Sequence, residues 1–474
     1  MRGLKYELSD RARGTTYGGV PLIVKLAHRV GLVDAIDRRV QLLKIHLPYH
    51  ESDHVLNVAI NALCEGTCLE DIELRRGDEA FLDAFGAETI PDPTTAGDFC
   101  RRFRTDGHIR SLQDAIDEAR LNVWKEQPDE FFDEAVIDMD GTFSVTTGEC
   151  KQGMDISYKG EWGYHPLVVS LAGTKEVLSI VNRPGNRPSH EGAAAEADRA
   201  AALCRRAGFR KIVFRGDTDF SQTEHLDRWN EGGVTFYFGY DAMPNLIEKA
   251  ENLDESEWKK LKRPPKYEAK GPPRAKPARV KRQVIRRREF LHLELKSEDV
   301  AEFEYRPTKC DRSYRMIVVR KNISQEKGEQ VLFPKVRYFF YITNDRKCSR
   351  AEAVFQSNDR CDQENLIAQL AGGVKAIAAP VDNLHSNWAF MVMASLAWTL
   401  KAWTALLVPV HPRRKEQHES QRRDLLTMEF KTFVNGLLKL PCQIVTQARR
   451  TVLRVLNWTP CLPAFFRLCD ELRC

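Results

Sequence analysis

Ala135-Val136-Ile137-Asp138-Met139-Asp140-Gly141-Thr142 is the stretch whose reading decides the fold. It predicts a strand over Asp133–Val145, with Asp138 and Asp140 on one face because side chains alternate along a strand. Asp140 ends the apolar run and precedes Gly141-Thr142, so its carboxylate is expected at the sheet surface. Downstream, Leu167-Val168-Val169-Ser170-Leu171 and Val177–Val181 read as two strands joined by the short turn Ala172–Glu176, a hairpin signal. An alanine-rich helix over Glu191–Ala207 leads to the strand Lys211–Phe214. A helix over Gln222–Asn230 and a strand over Val234–Phe238 follow. Three antiparallel strands followed by alternating helix and strand match a ribonuclease H-like core.

The flanks differ in pattern. Residues 1–130 read as helices, with Leu22, Ile23, Leu26 and Val30 at helical spacing and Val55, Leu56, Ala59, Ile60 and Leu63 likewise. Asp92 followed by Pro93 is a helix-start signal. On the helix it opens, Phe99 and Phe103 face inward while Arg101, Arg102 and Arg104 crowd the other side. Such a helix suits DNA reading, although arginines also favour any helix C-terminus. Beyond the core, Phe290–Leu295, Ala301–Tyr305, Tyr314–Val319 and Val336–Thr343 alternate as strands, a β-rich insertion of about 60 residues. Helical patterning returns near Arg350 and carries Glu364. The expected division is 1–130 (helical, DNA-binding), 131–248 (first part of the core), 249–345 (basic linker and insertion), 346–410 (second part of the core) and 411–474 (basic, helical).

Composition excludes several classes. With 42% hydrophobic and 29% charged residues this is an ordinary soluble chain. The start lacks the apolar run of a signal peptide. Trp388–Val410 nears the length of a membrane span, but Lys401 at its centre costs ~3 kcal/mol in lipid, so a buried helix is expected and no membrane. A cytoplasmic, nucleoid-associated protein follows as the expectation. Twelve cysteines show no Cys-x-x-Cys pair, which argues for reduced thiols over structural zinc. Net charge is only +5, yet residues 259–288 hold fourteen Lys/Arg against Glu268, leaving the remainder at −8. That tract, with Arg286, Arg287 and Arg288 at its end, reads as a polyanion contact or a solvated linker. Trp258 just before it suits base stacking or core packing.

Three acidic positions carry the chemistry. Asp140 and Asp217 end strands, Asp217 in the run Lys211-Ile212-Val213-Phe214-Arg215-Gly216-Asp217, where ligand groups sit in open sheets. Glu364 lies in the helix-like stretch Asp359-Arg360-Cys361-Asp362-Gln363-Glu364-Asn365. Together they are suited to an oxygen cage for two Mg²⁺ ions (Mn²⁺ being the alternative), which activates water or a 3′-hydroxyl against phosphodiesters. Each also has a plain reading: Asp140 as a turn cap, Glu364 as part of a solvated helix face, with Asp138 and Asp219 as substitutes.

The composite resembles the DDE transposases of bacterial insertion sequences, specifically the group with a β-rich insertion between the second Asp and the Glu. Its carriers are Ile137–Thr142, Gly163-Tyr164-His165-Pro166-Leu167, Asn182-Arg183-Pro184-Gly185-Asn186, Phe214–Phe220 and Arg360–Asn365. The resemblance implies Asp140, Asp217 and Glu364 as the metal-binding triad, Asp140 bridging two metals, and His165 and Asn186 near the site. It implies Arg360, and downstream Lys375, as contacts to DNA phosphate. The chain departs from the pattern at Ser357, where members carry Tyr, at Ala371, where they carry Lys, and at Gly141, in place of Ser, Thr or Ala. The implied function is binding of the element's terminal inverted repeats, metal-assisted strand cleavage and strand transfer to target DNA. Synapsis implies a homodimer. A nuclease without strand transfer, or a DNA-binding protein whose catalysis has lapsed, are the alternatives.

Overall fold

The computed structural model describes Tyr6 and residues 12–263, 293–326, 329–447 and 450–473. The chain forms two compact units: Met1–Arg210 with Asp362–Cys474, and Lys211–Cys361.

The first unit is built around the helix Leu384–Leu407. Apolar on every side, it has no face to give to water and belongs in a core. Of its most apolar 18-residue window, 94% is buried in the protein. It is the one helix among the described residues that is long and apolar enough to cross a membrane. The helices Glu51–Leu63, Asp106–Lys125 and Lys415–Thr427 and the strand Glu176–Val181 pack around it. Lys401 is accommodated inside: its Nζ donates to the Leu426 carbonyl at 2.8 Å and lies 4.3 Å from the Trp398 ring centroid. Leu426 is in the last turn of Lys415–Thr427, where carbonyls lack helical partners and a cation is favoured. The helix start expected at Asp92 is present, with the Asp92 carboxylate accepting from Thr95 N at 2.9 Å.

Beside this core, Glu134–Gly141, Leu167–Leu171 and Glu176–Val181 form an antiparallel sheet, covered by the helix Ala193–Ala207. Register fixes the opposites: Asp138 faces Ser170, Asp140 faces Val168 and Gly141 faces Leu167. Leu178 is an extra residue, because Val169 pairs with Ser179 and Ser170 with Val177; bulges of this kind re-aim nearby side chains. Glu176, fully buried at the head of its strand, accepts from Arg120 Nε, Trp124 Nε1 and Trp403 Nε1 at 3.1, 2.9 and 2.7 Å. Those bonds tolerate a buried carboxylate and fix the hairpin to two helices. The C-terminal region also contains a hairpin, Cys442–Gln447 with Arg450–Val455, which adds Arg13–Thr15 as a third strand.

The second unit is a mixed sheet. Lys211–Gly216 and Val234–Tyr240 run parallel, and Glu329–Thr343 joins the latter antiparallel, Phe340 opposite Tyr240. Tyr314–Glu326, Leu293–Tyr305 and Lys259–Lys260 follow outward. The expected β-rich insertion is therefore three long strands that continue the sheet from its Val234–Tyr240 strand. Leu226–Glu231 and Arg350–Asn358 flank it. Along the chain the elements run in the order expected of a ribonuclease H-like α/β fold: three antiparallel strands, then helix, strand, helix and parallel strand.

Candidate active site

In the first unit, Asp138 is 1% exposed whereas Asp140, two residues on and on the same face, is half-buried. The difference follows from position: Asp138 is inside the ladder, Asp140 next to its end. Gly141 closes the strand against a packed wall. A Cβ there would lie 2.8 Å from His165 Nε2 and 3.2 Å from Ser189 Cβ. His165 cannot swing aside freely, since its Nδ1 donates to the Arg187 carbonyl at 2.6 Å and its backbone N bonds Arg183 O at 2.8 Å. Arg183 holds the loop behind it, donating from Nε to His165 O and from Nη1 to the carbonyls of Pro188, Ser189 and Glu191. Burial lowers this guanidinium to about 10. The departure at Gly141 thus has a steric reason: His165 occupies the space. Asn186 is exposed on the same loop.

Glu364 is exposed on the helix Cys361–Ala368. Its neighbour Gln363 is 2% exposed and reaches the sheet. Gln363 Nε2 donates to the Val168 carbonyl at 3.0 Å, and Gln363 Oε1 accepts from Ser170 Oγ. Val168 and Ser170 are the register partners of Asp140 and Asp138. Opposed residues share a face in an antiparallel pair, so the helix of Glu364 docks on the face that carries Asp140. Lys175 Nζ, 3.4 Å from Asp362 Oδ2, adds an ion pair at the first turn of the same helix. Neither Gln363 nor Ser170 was singled out from the sequence. The available signal was a glutamine on the buried stripe Gln363, Leu366, Leu370, and a serine inside the run Leu167–Leu171.

In the second unit, Asp217 follows Lys211–Gly216, half-buried. Its Oδ1 accepts from Asp219 N at 2.9 Å, capping the turn Thr218–Phe220, while Arg360 Nη2 lies 3.9 Å from Oδ2. Asp219 is exposed. A cavity of about 440 Å³ opens beside the pair, bounded by Gly239, Tyr240, Tyr341 and Asn358. Tyr341 donates its hydroxyl to Asn358 Oδ1 at 3.3 Å. Ser357 is buried and donates its hydroxyl to the Ala353 carbonyl at 3.0 Å.

Among the described residues, no three His, Cys, Asp or Glu side chains are grouped closely enough to hold a metal ion. Asp140, Asp217 and Glu364 are each carboxylates that reach solvent, the donor type that a hard, water-retaining cation takes.

The expected DNA contacts fall into different settings. Arg101 is committed to Asp98 and Asp382, at 2.9 and 3.1 Å. Arg102 and Arg104 are exposed, Arg102 Nη1 lying 3.4 Å from the Leu42 carbonyl. Lys375 is half-buried with φ +60°, just past the π-helical turn Gln369–Gly373. Trp258 has Arg320 over its ring at 4.2 Å, and Arg320 is paired with Glu255. Arg286, Arg287 and Arg288 lie outside the described residues.

The model of the transposase DDE domain, group 1, matches residues 11–474. The chain belongs to this family. As a DDE transposase it falls in a class that uses divalent metal ions. No curated protein matches it. Among solved structures it is similar to the piggyBac transposase synaptic complex with hairpin DNA, determined by cryo-electron microscopy. That match has a TM-score of 0.40 and 10% identity over 90% of this chain and 82% of the other.

Proposed function

We propose that this transposase binds the terminal inverted repeats of its own insertion sequence, cuts DNA strands there with Mg²⁺, and joins the freed 3′ ends to target DNA. It acts at the nucleoid, and synapsis of two ends requires two copies of the chain. What carries the reading is the Gln363 bridge, which sets the helix of Glu364 on the sheet face of Asp140 in a chain matched to the family over nearly its whole length.

Asp140, Asp217 and Glu364 would hold the divalent ions, whose chemistry is to neutralise the phosphoryl group and lower the pKa of an attacking hydroxyl. The chain's own groups do the rest. Arg360 has a planar, permanently charged head suited to a phosphate oxygen, and its Nη2 lies 3.9 Å from Asp217 Oδ2. Asp140 is preferred to Asp138 as a ligand because Asp138 is shut away from solvent.

The test is Mg²⁺-dependent cleavage of labelled DNA carrying the element's ends, comparing wild type with Glu364→Gln. We expect cleavage at the end junction by wild type alone, with DNA binding kept by both. Cleavage without joined products would favour a nuclease. Binding with no cleavage by either, in Mg²⁺ or Mn²⁺, would favour a lapsed enzyme.

A further inference from the structure

We propose that Gln363 is a positioning residue, whose two bonds to the Leu167–Leu171 strand set where Glu364 stands relative to Asp140. The inference rests on the function proposed above and deepens it.

A side chain that stretches from a helix to a sheet and satisfies both ends of its amide is held at each end. Gln363 donates to a backbone carbonyl, which can only accept, so flipping the amide would set oxygen against oxygen at Val168 and lose that bond; the Ser170 hydroxyl accommodates the unflipped amide by donating to Oε1. The two anchor residues are those that face Asp140 and Asp138 across the ladder. Successive helical residues are turned by about 100°, so fixing the azimuth of Gln363 also fixes that of Glu364. The pairing is deep: Gln363 and Ser170 are each 2% exposed. The Leu178 bulge interrupts the opposite edge of the same strand at Ser170, and the Lys175–Asp362 pair holds the first turn of the helix. Apolar packing at position 363 would seat the helix equally well; the amide adds register.

Outer residues of this kind change metal affinity or activity by about 10- to 100-fold when lost. The test compares Gln363→Met, which keeps the volume and removes both bonds, with Ser170→Ala, which removes one. Single-turnover cleavage of an end-bearing duplex and Mn²⁺ binding by electron paramagnetic resonance are both read. For Gln363→Met we expect about tenfold slower cleavage or more, a higher half-saturating Mg²⁺, weaker Mn²⁺ binding and unchanged DNA affinity. Ser170→Ala should fall between, and the double variant should be no worse than Gln363→Met.

Wild-type cleavage and wild-type Mn²⁺ affinity in Gln363→Met would overturn the inference. So would a loss of DNA affinity in step with cleavage, which marks a general packing defect. If Gln363→Met does not fold, Ser170→Ala alone decides, and wild-type metal dependence in it counts against us. If wild type binds Mn²⁺ but cuts nothing, the metal arm still tests Gln363 while the functional reading fails. Mn²⁺ bound by neither protein removes both.

Discussion

The Cβ that Gly141 lacks would stand 2.8 Å from His165 Nε2, closer than real Cβ contacts come. Because that ring is tied to the Arg187 carbonyl, Gly141→Ala has to shift the ring or the strand end. We expect a loss of about 1–3 kcal/mol in denaturant unfolding, as for other overpacked sites, and reduced cleavage through the displaced Asp140. The same substitution in a His165→Ala background should cost less than half as much; an equal cost would exonerate the imidazole. Asp140→Asn should abolish cleavage with folding intact, whereas near-wild-type cleavage would transfer the role to Asp138. At this scale the sequence was informative where chemistry is local. Asp140 and Asp217 stand out because each ends an apolar run, whereas Glu364, in the charged stretch Asp359–Asn365, is singled out only by the family resemblance. Gln363 could not be named, because its partners are nearly 200 residues away and hydrogen bonding at that range leaves no periodic trace.

Helices and strands are where pattern and structure agree most. Leu384–Leu407 was recognisable as buried despite Lys401, and its lysine makes a pH test. Burial lowers the Lys401 ammonium to about 7, against its ordinary value near 10.5 when the chain is unfolded. Between these two values the unfolded chain binds the extra proton, so this group makes stability rise with pH across that window. Below about 7 both states are protonated and the penalty is fully present. Lys401→Met should therefore flatten the rise in unfolding free energy between pH 7 and 9.5, and a slope equal to wild type would refute the assignment. The C-terminal hairpin was not foreseen. Its strands are six residues each in a basic, largely helical region, and what stabilises them is Arg13–Thr15, a pairing across most of the chain. The insertion was foreseen as strands, but its continuity with Val234–Tyr240 depends on register, which alternation alone does not specify.

For the molecule as a whole, the sharpest sequence signal is the concentration of charge in residues 259–288. Each phosphate contact contributes roughly 0.9 to the log–log dependence of DNA affinity on salt. Replacing the basic residues of 274–288 with serine should lower that slope, measured by titrating end-bearing DNA across salt concentrations. An unchanged slope would remove the tract from the interface. The second unit has a broader consequence. The chain sets out at Asp217 and comes home at Arg360, and those two side chains finish 3.9 Å apart. An excursion that returns to its own doorstep is tied off at its two ends. The strands Tyr314–Glu326 and Leu293–Tyr305, outward of Glu329–Thr343, pair with neither Lys211–Gly216 nor Val234–Tyr240, so their lengths are not set by the strand that ends at Asp217. Closing a longer loop carries only a slowly growing entropic penalty. Descendants of this gene are thereby free to remodel the outer strands while inheriting Asp217 and Arg360 unchanged.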